Sequence, residues 1–545
     1  MKRALPAALV ALALLAWFGT LGFRDLIHPD EGRYAELSRQ MLASGDWLTP
    51  RLNGLLYFEK PPLQYWASAA VFSILGHSDF AARLWPGLAG ALAVLALWAC
   101  ARRILGSTIA LYAACVLGSC VWWLGNSHFI NLDTTLSACL AGALLGFWVA
   151  QRDDATRIEA RVGMALAWLA MGLAVLAKGL VGIVLPAGAL MAYMLWQRDP
   201  SPLKRLNWSA GPLVFALVAA PWFVAVSLAN PDFAHFFFIE QHFQRYLTHT
   251  HRPGPWWYFV PVLLVGLLPW TTLLPGALRV GSQRVPGRFQ GNRLLLAWCV
   301  AIFVFFSASG SKLPSYILPI FPALALLVAQ HLARLSPGRL AAHAAAIAVL
   351  AIAGGAGLVG LVAGWLGAAR AFSPQELRYR DWILAGLAII AVFAIVAALL
   401  ARRGRATAAV VALAFSGLVG TQVVLLGHQS FAAQKSARQL VAHLAPALPP
   451  GAPVFSVSHH DQTLPYYLGR PVVLVNWIDE FATGQRLEPD RSLRSEADFA
   501  GLWRSLPAAG AVMKPDVWAR WRDAGLPMRV VYEDGARVAV VKPAP

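Results

Sequence analysis

The stretch VGMALAWLAMGLAVLAKGLVGIVLPAGALMAYMLW, Val162–Trp196, decides the fold. At roughly 35 apolar residues it is too long for one helix across a hydrocarbon core that takes about 20, and tight for two. Its flanks settle the choice. Arg152, Arg157 and Arg161 precede it, and Arg198, Lys204 and Arg205 follow it. Basic residues hold loops on the cytoplasmic side, so the chain is expected to cross twice here and turn at Lys178-Gly179.

Working outward, the same pattern recurs. Of the 545 residues, 58% are hydrophobic and 13% charged, about half the charge of a soluble domain. Apolar runs near 20 residues predict about thirteen spans, roughly 4–23, 80–101, 108–124, 132–150, 162–177, 179–196, 208–228, 257–277, 294–309, 314–333, 341–366, 382–401 and 406–427. The first run has no small-residue cleavage motif and is read as a retained span. Arg102/Arg103, Arg279/Arg284/Arg288/Arg293, Arg334/Arg339 and Arg402/Arg403/Arg405 then all fall inside. The N-terminus is expected in the cytoplasm and the C-terminus outside. Topology accounts for most of the net charge of +18, and no nucleic-acid partner is implied. The five cysteines lie in apolar runs without metal-ligand spacing and read as buried small hydrophobes.

The expected architecture is an α-helical polytopic membrane domain, 1–428, with outer loops at 24–79 and 229–256. A small α/β domain, 429–545, follows on the outer side. In that tail, short runs such as PVFSVS and PVVLVN look like strands, and EADFAGLWRSL looks helical.

Most of the acid faces outward. The first outer loop carries Asp25, Asp30, Glu31, Glu36, Asp46, Glu59 and Asp79. From Glu31 to Ser44 the residues Tyr34, Leu37, Met41 and Leu42 share one helical face, with Gly45 a natural stop. PPLQYWASAAVFSILG (61–76) suits a helix lying flat in the interface. Two readings stand at Asp30: the N-cap of that first helix, with Glu31 in its first turn, or a catalytic carboxylate. Glu59-Lys60 before Pro61-Pro62 reads alone as a solvated pair. Taken singly, Lys178 and Lys312 read as snorkelling side chains and Trp256, Trp257 and Tyr258 as an interfacial belt. Collectively, Asp133 with Asn126, His128 and Asn131, Lys178, His242 and Arg245, and Lys312 and Tyr316 add polar groups at the same membrane boundary. A charge at bilayer depth costs about 2.5–3.5 kcal/mol on insertion scales, so such a collection suggests a polar chamber opening outward. Carboxylates among cations suit chemistry on a phosphate-bearing lipid. A transporter would place its charges near the bilayer midplane on repeated, broken helices; here they sit at one surface.

HPDEGRYAELSRQMLASGDWLTPRLNGLLYFEKPPLQYW (28–66), SKLPSYILPIFP (311–322) and LAKGLVGIVLP (176–186) resemble the lipid A aminoarabinose transferases. These belong to the protein-mannosyltransferase-like group of the glycosyltransferase C superfamily. The resemblance implies that 4-amino-4-deoxy-L-arabinose moves from undecaprenyl phosphate to a lipid A phosphate on the periplasmic face of the inner membrane, conferring polymyxin resistance. It implies Asp30 as the essential carboxylate with Glu31 beside it. It places Lys60 on the donor phosphate together with Arg245. Tyr34, Tyr57, Lys312 and Tyr316 are then donor-site residues, and Arg33, Glu59, Asp133 and Lys178 line the pocket. No cofactor is required on this reading. A divalent metal stays possible, with Glu59, Asp133, His128 and His242 as candidate ligands, although no spacing fixes a site. Another polyprenyl-phosphate-linked sugar, such as mannose to protein or galacturonate to lipopolysaccharide, is the alternative. Nothing in the sequence bears on self-association.

Overall fold

The computed structural model describes residues 4–244, 254–365 and 371–543, with side chains from residue 7 onward except 241–244. The chain divides into two compact units. One comprises Met1–Leu21 and Leu84–Gly427; the other comprises Gly22–Arg83 and His428–Pro545.

The first unit is helical. Among the described residues, nine helices of the chain are long and apolar enough to cross a membrane, which makes this a multi-pass membrane protein. Two further pairs pass that test only together, because each is bent: Ser107–Ser119 with Val121–Ser127 by 61°, and Phe259–Gly266 with Thr271–Ser282 by 111°. The second pair lies where a span is expected at 257–277. Pro269 sits at its break, where a residue without an N–H cannot continue the helical ladder. The stretch Val162–Trp196 folds as two helices, Arg157–Lys178 and Val181–Gln197, separated at Gly179 with φ +84°. The first of these starts in a capping box in which Thr156 and Glu159 satisfy each other's backbone N–H groups.

Small residues let these helices touch. A Cβ on Gly146 would lie 2.6 Å from the Gly163 carbonyl oxygen, and one on Gly163 would lie 2.7 Å from that of Gly146. This is the backbone-to-backbone approach expected where lipid offers no hydrophobic drive. The segment Phe321–Leu332 is buried almost throughout. Pro337–Val362 and Pro374–Arg402 instead expose Val349, Leu350, Ile352, Val392 and Ile395, as a lipid-facing surface does.

The second unit joins the first loop to the tail. The loop forms helices Asp30–Ser44 and Leu63–Leu75 and a short hairpin of β1 (Arg51–Leu52) and β2 (Leu55–Leu56). The tail forms a six-stranded sheet of β3 (Val454–Val457), β4 (Val473–Val475), β5 (Ser492–Leu493), β6 (Gly510–Met513), β7 (Arg529–Glu533) and β8 (Val538–Val541), in the order β5-β4-β3-β6-β8-β7. β5, β4, β3 and β6 are parallel; β8 runs antiparallel to β6, and β7 antiparallel to β8. The chain moves outward from β3 to β4 and β5, then returns to place β6 on the other side of β3. That reversal is a topological switch point, where doubly wound sheets leave a crevice at the carboxyl ends of their strands. Phe455, Val457, Val475, Phe499, Trp503 and Met513 fill one side of this sheet.

The loop docks there. A Cβ on Gly32 would lie 2.5 Å from the Gln462 carbonyl carbon and from the Thr463 nitrogen, so only glycine fits where the first turn of Asp30–Ser44 meets the segment after β3. Asn53 Nδ2 donates to the Val472 carbonyl at 2.8 Å and its Oδ1 accepts from the Val472 N–H at 2.8 Å. Arg51 pairs with Glu488 at 2.8 Å.

Candidate active site

The helix Asp30–Ser44 begins after Pro29, which occupies the cap position and makes no side-chain capping bond. Asp30 is therefore the first helical residue, and the N-cap reading is corrected. Its carboxylate instead accepts from Arg33 Nη1 at 2.7 Å, with about half of the side chain open to solvent. Gly45, in the left-handed conformation, stops the helix as expected.

Glu31 points the other way. It is buried, and Arg83 grips both its oxygens, Nε to Oε1 at 2.7 Å and Nη2 to Oε2 at 2.8 Å. The same guanidinium donates to the Arg24 and Asp25 carbonyls at 2.5 and 2.9 Å. Burial works to raise the Glu31 pKa, but the charge and hydrogen bonds of Arg83 outweigh it and hold the carboxyl below its ordinary value. The adjacent acids thus separate into one exposed group and one locked group.

Arg33 connects Asp30 to the tail. Its Nε meets the Glu480 carboxylate, which lies in the segment after β4. Gln462 Nε2, from the segment after β3, donates to the other Glu480 oxygen at 2.9 Å. Burial pushes the Glu480 pKa up, only partly offset by the Arg33 charge. Three phenols surround this chain of groups. Arg33 lies 5.9 Å from the Tyr34 ring centre, and Tyr34 stacks on Tyr65 at 6.1 Å. Tyr57 donates to Glu59 Oε2 at 3.3 Å. Burial raises the Tyr57 and Tyr65 pKa values well above normal, so both stay protonated donors. The Tyr65 hydroxyl is fully buried and has no hydrogen-bond partner among the described residues. Lys60 Nζ donates to the Glu59 carbonyl at 2.9 Å; both side chains are half-buried rather than free in solvent.

A second set lies in the helical unit. Asp133 opens the helix Leu132–Gln151, capped by Asn131, whose side chain accepts from Thr134 N at 2.9 Å. Its Oδ1 pairs with Lys178 and its Oδ2 accepts from Ser315 Oγ at 2.8 Å. Lys178 Nζ lies 4.9 Å from the Tyr316 ring centre. Lys312 is buried and donates to the Ser307 and Ser309 carbonyls, both at 2.8 Å. Each lysine has anionic or carbonyl oxygens within reach, which replace water. Trp256 and Trp257 are exposed, as a belt would be.

Among the described residues, no three His, Cys, Asp or Glu side chains come together. His128 is buried, with Nδ1 on the Leu124 carbonyl at 2.8 Å and Nε2 within 2.6 Å of both the Trp17 carbonyl and Gln422 Nε2. Asp133 is engaged by Lys178 and Ser315, and Glu59 by Tyr57. Arg245 and the side chain of His242 lie outside the described residues.

Sequence reasoning missed Arg83, Ser315, Gln462 and Glu480. The last two had a usable signal, since both follow apolar strand-like runs and the carboxyl ends of parallel strands carry function.

Comparison with known proteins places this geometry. The family model described as aminoarabinose transferase C-terminal domain matches residues 440–542. That of dolichyl-phosphate-mannose-protein mannosyltransferase matches 3–237. The crystal structure of ArnT from Cupriavidus metallidurans bound to undecaprenyl phosphate superposes with a TM-score of 0.94 at 36% identity, covering 100% of this chain and 99% of that one. Its apo state gives 0.92, again at 36% identity, covering 100% and 98%. The undecaprenyl phosphate-alpha-4-amino-4-deoxy-L-arabinose arabinosyl transferase of Erwinia tasmaniensis is 37% identical over 57% of this chain and 56% of its own length. That of Edwardsiella ictaluri is 37% identical over 60% and 59%. The aligned segment thus spans somewhat over half of these curated relatives. The archaeal oligosaccharyltransferase AglB of Archaeoglobus fulgidus shares the fold at 13% identity, with a TM-score of 0.51 over 95% of this chain and 70% of that one.

Proposed function

The chain belongs to the aminoarabinose transferase family, with a glycosyltransferase C fold, and from that premise we propose that it is a polyprenyl-phosphate-sugar-dependent glycosyltransferase. It moves 4-amino-4-deoxy-L-arabinose from undecaprenyl phosphate to a phosphate of lipid A. The reaction takes place on the periplasmic face of the bacterial inner membrane, with the N-terminus cytoplasmic and the 429–545 domain periplasmic. The added sugar masks lipid A charge and confers resistance to polymyxin. The observation that carries this reading is the end-to-end likeness to a solved transferase holding undecaprenyl phosphate.

The chemistry follows from the charges. Glycosyl transfer passes through an oxocarbenium-like state while the lipid phosphate gains negative charge as it leaves. Lys60 and Arg245 stabilise that leaving phosphate; Tyr34, Tyr57, Lys312 and Tyr316 shape the donor site. These preorganised cations can supply that stabilisation without a cofactor; a divalent metal, with Glu59, Asp133, His128 and His242 as its candidate ligands, would supply the same charge. The acceptor is a phosphate monoester, whose second pKa near 6 leaves it nucleophilic at neutral pH. Asp30 is therefore an electrostatic group as much as a base. It faces the developing positive charge at the anomeric carbon or the sugar's amine, and Arg33 keeps it oriented. Glu31 supports it from within the fold.

The test is lipid A mass spectrometry in a host lacking its own transferase and carrying either this chain or Asp30→Asn. Aminoarabinose-modified lipid A from the first and none from the second is the expected result. Full modification by Asp30→Asn would refute the role of Asp30. An added mass of a hexose or uronic acid would identify a different donor.

A further inference from the structure

The tail supplies more than a docking surface. Its sheet has a switch point between β3 and β6, and the first turn of Asp30–Ser44 packs on the segment that leaves β3, close enough to require Gly32. From the segments after β3 and β4 come Gln462 and Glu480. The result is one continuous chain of polar groups: Gln462 Nε2 to Glu480 at 2.9 Å, Glu480 to the Arg33 guanidinium, and Arg33 Nη1 to Asp30 at 2.7 Å. Burial is graded along it. The Glu480 side chain is 6% exposed, Arg33 17% and Asp30 53%. At the inner end one Glu480 oxygen accepts from Gln462 and the other is in ion-pair contact with Arg33, while the outer end is open.

We propose that Glu480 is a positioning residue of the transfer reaction, contributed by the C-terminal domain, which fixes the Arg33 guanidinium and through it the Asp30 carboxylate. The proposal rests on the reading of Asp30 as the functional carboxylate. An Arg–carboxylate contact fixes direction as well as distance, because the guanidinium is a rigid planar fork. With Glu480 gone, Arg33 keeps one partner and swings with the exposed Asp30 side chain. Arg51–Glu488 at 2.8 Å provides a natural control. It also ties the first loop to the tail, but it does not touch Asp30.

The experiment uses the purified full chain with undecaprenyl-phosphate-linked aminoarabinose and lipid A. Glu480→Gln is expected to lower kcat by ~100-fold, the size of effect that a misplacement of about 1 Å produces, with donor KM within about twofold. Arg33→Gln should lose a similar factor. The double variant should fall no further than Arg33→Gln alone, since the two residues act as one unit. Glu488→Gln should keep wild-type kcat. Wild-type kcat in Glu480→Gln, multiplicative losses in the double variant, or an equal loss in Glu488→Gln would each overturn the proposal. If Glu480→Gln does not fold, Gln462→Leu loosens the same carboxylate and should lower kcat with KM unmoved; unchanged kcat there also overturns it. Asp30→Asn is assayed alongside. An active Asp30→Asn defeats the parent reading, whereas an inactive Asp30→Asn with an unaffected Glu480→Gln defeats only this one.

Discussion

Asp30 and Glu31 are adjacent in the chain and opposite in environment, and each carries its own prediction. Glu31→Ala leaves Arg83 charged and buried with its carboxylate partner removed. Breaking such a pair from one side costs about 3–5 kcal/mol, so the detergent-solubilised protein should unfold at a markedly lower denaturant concentration. On the proposed chemistry, Lys60→Ala keeps the fold but removes a cation from the leaving phosphate. The loss of one such preorganised donor is worth ~100- to 1,000-fold in kcat, read as initial rate at saturating donor. His460 gives a pH signature. Burial pushes its pKa down to about 3 from the ordinary 6.5. Below pH 6.5 the unfolded chain takes up a proton there that the folded chain refuses. Stability therefore falls as pH drops from 6.5 toward 3, by up to ~1.4 kcal/mol per pH unit. Glu31, held below its ordinary value, adds a loss in the same direction at still lower pH. Chemical unfolding of wild type and His460→Phe at pH 7 and pH 5 should show the variant losing less stability between the two.

At the scale of elements, the closest approaches are made by glycines. Gly32→Ala drives a methyl into the backbone between Gln462 and Thr463. Overpacking of this kind costs about 1–3 kcal/mol, and here it also displaces the turn that carries Asp30 and Arg33; transfer activity should drop more than thermal stability does. Much at this scale was legible. The Val162–Trp196 stretch showed its two helices because charge on both flanks demands an even number of crossings. Gly45 showed the stop of the first loop helix, and Tyr34, Leu37 and Met41 its buried face. What was not legible depends on atoms brought from far away. Asp30 has the composition of an N-cap, but Pro29 takes the position and Arg33 takes the side chain. Lys178 and Lys312 looked like snorkelling lysines because their oxygen partners, on Asp133, Ser307 and Ser309, are invisible as pairs in a linear reading. The 111° bend within 259–282 is masked by a hydropathy that stays high across it.

For the whole molecule, one unit takes up the chain again at His428, and residues 22–83 belong to the same unit as the tail. Hydropathy separates greasy from soluble sequence and says nothing about which soluble pieces pack together, so Glu480 could not be paired with Arg33 by inspection. Deleting 428–545 should therefore do more than trim a domain. The loop that carries Asp30 and Lys60 loses the surface it packs on, and lipid A from cells making the truncated chain should carry no added sugar even where the helical unit accumulates in the membrane. The same discontinuity has a consequence for biosynthesis. Residues 22–83 leave the ribosome early, while their partner segment is among the last to be made. At ~5–20 residues per second, the intervening 84–427 take ~20–70 s to translate. For that interval Gly32, Arg33, Arg51 and Asn53 lack their partners in the tail, and the nascent loop is the stretch on which a chaperone or a protease would act first.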